Sequence, residues 1–163
     1  KIYFLPVNGA LLLAYLIVVA KMADVGAYFI GVGTAKLPRG NHKLATKVSP
    51  KKSWEGLLGA VIFSVLSSLV FYYLAGENLF FSGFGLAENL KINFTVTDAL
   101  LFGITAPFIG LLGDLAESAI KRAADAKDSG KLPGLGGVLD MLDSIIPMAP
   151  LFYAWILFKA ASS

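Results

Sequence analysis

Asp114, Glu117, Asp125, Asp128, Asp140 and Asp143 fall within thirty residues and make up six of the chain's eleven acids. The same stretch holds Lys121, Arg122, Lys127 and Lys131, together with Gly130, Gly134, Gly136 and Gly137. A connection that only joins two apolar segments needs none of these. Divalent-metal chemistry on phosphates uses all three kinds: carboxylates hold the ion, Lys and Arg neutralise phosphate oxygens, and Gly lets backbone N–H groups approach them. Asp114, Glu117 and Ser118 stand at i, i+3 and i+4, on one face of a helix. Such carboxylates at the end of an apolar segment either face a polar cavity inside a bundle or pair locally, as Glu117 could with Lys121. Asp140 and Asp143 repeat the i, i+3 spacing, with Ser144 next. They follow Leu132-Pro133-Gly134-Leu135-Gly136-Gly137, a run that no regular helix tolerates. Glycines alone would be loop punctuation. Their conjunction with paired acids and four cations favours a metal–phosphate site.

Two earlier stretches carry smaller signals. Asp24 lies within an otherwise membrane-like run, where an ionisable side chain costs roughly 2.5–3.5 kcal/mol on insertion scales. It is either functional or placed at the end that meets water. Ser49-Pro50-Lys51-Lys52-Ser53-Trp54-Glu55-Gly56 leads into an uncharged segment. Ser49 with Pro50 could start a helix, or Ser53 could cap one with Glu55 in its first turn. In both cases Lys51 and Lys52 sit near a helix N-terminus, as an anion site or as plain interfacial anchors.

The elements that must position these groups are apolar. The 163 residues are 56% hydrophobic and only 15% charged, well short of the quarter expected of a soluble domain. Four hydrophobic zones stand out: Ile2 to about Gly33, Gly56 to Ala75, Thr97 to about Ala119, and Ser144 to Phe158. The first exceeds one bilayer crossing of about 20 residues, and the last is short for one. The expected fold is all-α: a polytopic membrane helix bundle with about four hydrophobic segments and two functional cytosolic loops. Ten of the fourteen basic residues fall in 36–52 and 121–131, so the positive-inside rule puts those loops in the cytosol and the 76–96 loop outside. Cysteine is absent and His42 is the single histidine, which excludes thiolate catalysis and a Cys- or His-rich metal site. The chain begins at Lys1, without a signal-peptide pattern. The expectation is a start that lacks upstream helices.

Gly113-Asp114-Leu115-Ala116-Glu117-Ser118, Lys121-Arg122, Lys127-Asp128-Ser129-Gly130, Pro133-Gly134-Leu135-Gly136-Gly137 and Leu139-Asp140-Met141-Leu142-Asp143-Ser144 together resemble the C-terminal hallmark of the phosphatidate cytidylyltransferases, the CDP-diacylglycerol synthases. Asp24-Val25-Gly26-Ala27-Tyr28-Phe29-Ile30-Gly31 and the Ser49–Gly56 stretch are similar to two further blocks of that family, in the same order. The chain departs from the pattern at Leu135, where the family usually has His, and at Met141, where it usually has Arg.

The resemblance implies a single membrane-embedded cytidylyltransferase domain over 1–163, lacking N-terminal transmembrane helices. It implies Mg²⁺ held by Asp114 and Asp140, with Asp143 in support. Lys121, Arg122, Lys127 and Asp128 become the catalytic group, with the cations on phosphate. Substrate-binding positions are Asp24, Ser49, Lys51, Lys52, Glu117, Ser118, Gly136 and Gly137. The implied substrates are CTP and phosphatidate, at a cytosol-facing site of a multi-pass inner or plasma membrane protein. By analogy the protein forms a homodimer, and it has no nucleic-acid partner. Three other readings stay open here: a transporter or proton relay built on the intramembrane acids; a related enzyme on another lipid acceptor, such as a CDP-archaeol synthase or a polyprenol kinase; and a non-catalytic fragment, given Leu135 and Met141.

Overall fold

The computed structural model describes residues 9–38, 40–45, 49–75, 81–82, 91–92, 94–123 and 144–162. Among the described residues four helices carry the fold: α1 (Gly9–Ala35), α2 (Trp54–Ala75), α3 (Val96–Ala123) and α4 (Ile145–Ser162). Three contain spans long and apolar enough to cross a membrane, Leu11–Ala35, Trp54–Leu74 and Val96–Ile120. The fourth is shorter, as its length in sequence implied. The all-α membrane bundle expected from the apolar zones is the observed architecture. α1 runs unbroken through Lys21 and Asp24, and Pro107 lies inside α3.

Two short antiparallel ribbons supplement the helices. β1 (Lys43–Ala45) pairs with β2 (Ser49–Ser53), with Lys43 opposite Ser53 and Ala45 opposite Ser49. β3 (Phe81–Ser82) pairs with β4 (Lys91–Ile92). The basic 36–52 loop therefore contains a hairpin. Of the two helix starts the sequence allowed, the Ser53 one is correct, and Ser49 and Pro50 are extended. The Ser53 hydroxyl accepts the Gly56 N–H at 3.1 Å, three residues into the chain of α2, which is an N-cap. Ser53→Ala should lower stability by about 1 kcal/mol, read by thermal unfolding in detergent.

The helices alternate in direction, so each presents one end to the site and one to an aromatic core. Tyr15 is fully buried there, with ring contacts to Phe71, Phe94, Phe102 and Phe152 at 5.3–5.7 Å. Ser68 donates its hydroxyl proton to the Ala99 carbonyl at 2.7 Å, so the Tyr15 hydroxyl is the donor in its own 2.7 Å bond to Ser68 Oγ. That chain satisfies two hydroxyls where water is excluded. At the same end Thr95 and Asp98 cap α3 reciprocally, and the Lys159 ammonium from α4 lies 2.9 Å from Asp98.

α1 and α2 touch through backbone. A methyl group built on Gly26 would collide with the Gly59 carbonyl and the Phe63 side chain, and one on Gly59 with the Gly26 carbonyl and Ile30. Glycine at both positions is what lets the two helices approach this closely.

Candidate active site

A cavity of about 690 Å³ opens where α1 ends, α2 begins, and α3 and α4 pass behind them. Its existence follows from side-chain size. Ala23, Ala27, Gly31 and Ala35 recur every four residues, so they share one face of α1. Gly56 and Ala60 of α2 add to this wall. Small residues on both helices leave the space unfilled. Leu57, Leu111 and Met148 add further apolar lining, and Asp24, Lys36, Lys43, Lys52 and Asp114 bring charged groups to the same cavity.

Those charged groups come from separate elements. Asp24 on α1 accepts a hydrogen bond from Lys21 at 3.1 Å and from the Ser144 hydroxyl at 3.4 Å, across 120 residues of chain. Ser144 is almost completely buried at the start of α4. Lys52, at the end of β2, reaches Asp114 on α3 with its ammonium 2.7 Å from the carboxylate, both side chains largely shielded from solvent. Lys36 and Lys43 line the same cavity, as do Ser49, Ser53 and Asn41. The Asn41 amide donates to the Gly31 carbonyl at 2.6 Å and to Ser53 Oγ at 3.3 Å.

The structure thus brings Asp24, Ser49, Lys52 and Asp114 to one cavity. Glu117 lies one turn beyond Asp114 on α3 and Ser118 beside it, both half-buried and neither on the described cavity wall. Lys121 and Arg122 belong to the last turn of α3, and Lys51 to β2. The side chains of these three, like Lys127, Asp128, Gly136, Gly137, Asp140 and Asp143 altogether, lie outside the described residues. Sequence reasoning did not assign Lys36, Asn41, Lys43, Ser53 or Ser144 to the site. Lys36 and Lys43 were visible as part of an acid-free basic run, and Ser144 as the neighbour of Asp143. Nothing in the sequence marks Asn41.

Chemically, the described groups are oxygen donors and ammonium groups. No cluster of three or more His, Asp or Glu side chains able to hold a metal occurs among the described residues. Two carboxylates and a hydroxyl nonetheless suit Mg²⁺, a hard cation that keeps several waters and is held by one or two carboxylates plus substrate phosphates. Lysines on Asp24 and Asp114 keep both acids charge-compensated in a partly dry site, and an ammonium that neutralises a carboxylate can equally neutralise a phosphate oxygen.

Comparison with known proteins places the chain in a family. The chain is 36% identical over 148 residues to a phosphatidate cytidylyltransferase of Haemophilus influenzae, covering 90% of the chain and 46% of that relative. It is 41% identical over 140 residues to one of Helicobacter pylori, covering 85% and 44%. It is 34% identical over 157 residues to one of Bacillus subtilis, covering 93% and 51%. The chain spans about half the length of the curated relatives it matches. The family model described as "Cytidylyltransferase family" matches residues 3–158, nearly the whole sequence. With the apolar helices and the polar cavity at their ends, this makes the chain a membrane protein that belongs to the cytidylyltransferase family.

Proposed function

We propose that the protein transfers CMP from CTP to phosphatidate, giving CDP-diacylglycerol and pyrophosphate. The observation that carries this reading is the convergence of Asp24, Lys52 and Asp114, from three separate elements, on a cavity that joins charged and polar groups to an extensive apolar lining. A phospholipid substrate has that same division, a polyanionic head on hydrocarbon.

In the proposed reaction an oxygen of the lipid phosphate attacks the α-phosphorus of CTP. A new O–P bond forms, the bond from the α-phosphorus to the bridging oxygen breaks, and pyrophosphate leaves with that electron pair. A phosphate monoester has its second pKa near 6 and is mostly dianionic at neutral pH. No protein base is needed, in keeping with a cavity whose described wall holds lysines and carboxylates and no histidine. The difficulty is to bring two polyanions together, which calls for fixed positive charge. Lys36, Lys43 and Lys52 supply it on the described wall. Lys121, Arg122 and Lys127 belong to the same proposal, with Asp128 orienting them. Mg²⁺, when bound, would neutralise phosphate oxygens and polarise the α-phosphorus. Asp114 and Asp24 are the described carboxylates that would hold it, with Asp140 and Asp143 completing the set. Ser49, Lys51, Glu117, Ser118, Gly136 and Gly137 are the remaining substrate contacts of this reading.

The proposed setting is a multi-pass inner or plasma membrane protein. The cavity end carries the basic hairpin, so the positive-inside rule turns the site to the cytosol, where CTP is found. A homodimer is part of the same reading.

The test is incorporation of labelled CTP into lipid by the full-length protein in nanodiscs, with and without phosphatidate and Mg²⁺. The expected product is labelled CDP-diacylglycerol, absent when either addition is omitted. No incorporation with phosphatidate, or incorporation only with a polyprenol or archaeal lipid acceptor, would overturn the substrate assignment. A transport reading accounts for acids within apolar helices. It does not account for the placing of Asp24 and Asp114 at one cavity, each beside a lysine.

A further inference from the structure

We infer that Asn41 is a positioning residue for nucleotide binding, the splint that holds the basic hairpin over the cavity. The inference rests on the proposed reaction and names a residue that the reaction does not require.

Asn41 stands at the base of the β1–β2 hairpin, directly after Gly40, whose φ of +63° turns the chain back toward the helices. Its amide nitrogen has two protons, and each goes to a different element. One meets the Gly31 carbonyl in the last part of α1, the other Ser53 Oγ, the N-cap of α2. All three residues line the cavity. One amide thus ties the chain just before β1 to the end of α1 and to Ser53, where β2 meets α2.

What the splint positions is charge. Lys43 lies two residues after Asn41 on β1, and Lys52 immediately precedes Ser53 on β2. Both line the cavity, and Lys52 reaches Asp114. The other attachments of the hairpin base are more exposed: the His42 N–H and ring nitrogen on the Glu55 carboxylate, and the Trp54 N–H on the His42 carbonyl. The side-chain oxygen Oδ1 of Asn41 is buried with no hydrogen-bond partner among the described residues. A position selected for stability alone avoids an unpaired buried acceptor. Here the two N–H donors are what the site uses. A donor that sets the direction of two lysines acts on the binding of the anion they face. It acts far less on the chemical step once the nucleotide is seated.

The test compares Asn41→Leu, Asn41→Asp and Asn41→Gln in the full-length protein, measuring kcat and KM for CTP and for phosphatidate, with CTP affinity by calorimetry. Leu and Asp remove both donors at similar size, and Gln keeps them. In the Leu and Asp variants the KM for CTP should rise about tenfold, with kcat within about threefold and the phosphatidate KM unchanged. Gln should return the CTP KM to within about threefold of the parent. If the Leu variant does not fold, the Asp and Gln pair decides. An unchanged CTP KM in the Leu or Asp variant overturns the inference, as does a Gln variant no better than Asp, or a fall in kcat alone. Failure of the parent protein to bind CTP would instead count against the proposed function.

Discussion

Asp114→Asn should lower the proposed cytidylyl transfer by about a thousandfold or more, close to 4 kcal/mol of transition-state stabilisation, while the protein still inserts and folds. The amide matches the carboxylate in shape, so the packing of α3 is retained. What changes is charge. Asp114 is half-buried on the cavity wall with the Lys52 ammonium 2.7 Å away. Its loss removes the proposed anionic ligand for Mg²⁺ and leaves Lys52 without its counter-charge. Initial rates with labelled CTP over a range of Mg²⁺ concentrations check this, with size-exclusion profiles reporting the fold. Activity within threefold of the parent would remove Asp114 from the metal assignment. The same loss is expected for Asp140→Asn. Lys52→Met supplies a second arm. If Lys52 and Asp114 act as a unit, the double variant should be little worse than Asp114→Asn, because residues in direct contact are not additive.

Gly59→Val should be strongly destabilising, by at least about 3 kcal/mol, with folded yield falling sharply. An added side chain at Gly59 runs into the Gly26 carbonyl on one side and Ile30 on the other, and Gly26→Val meets the reciprocal obstruction. Backbone cannot rotate away as a side chain can, so α1 and α2 must separate along their length. The cavity should be damaged with the fold, since Gly26 lies two residues from Asp24, and Gly59 lies between the wall residues Gly56 and Ala60. Gly33→Ala is the control. Nothing lies within 4 Å of its added methyl group. The gain in helix propensity should therefore make it neutral or stabilising by roughly 0.5–1 kcal/mol. Thermal unfolding of the three variants in one detergent separates close approach from glycine content. Equal melting temperatures for Gly59→Val and Gly33→Ala would refute the packing argument.

The two substitutions probe different kinds of information. The four helices were legible in the apolar runs, because a segment that must satisfy its own backbone in hydrocarbon has little alternative to a helix. The cap at Ser53 was legible as a residue type one position before a helix, although Ser49-Pro50 offered an equally good local signal. Asp24 and Asp114 were legible because a carboxylate within an apolar run is expensive. The family was legible in blocks of residues whose spacing is specific.

What only the tertiary structure decided is which faces meet. In water an amphipathic stripe announces the inner face of a helix. Here apolar side chains occupy every side of α1 and α2, from buried Leu12 and Leu16 to exposed Ile17 and Leu66. Hydrophobicity therefore says nothing about partners. Partners are chosen by shape and by polar pairing instead: glycine against glycine at Gly26 and Gly59, Lys52 on Asp114 across 62 residues, and Ser144 on Asp24 across 120. None of these pairs has a local signature, because each member is unremarkable until its helix has docked. The sequence by itself determined a membrane bundle with acids and cations to place. Docking through small residues determined which acid meets which cation, and left the cavity between them.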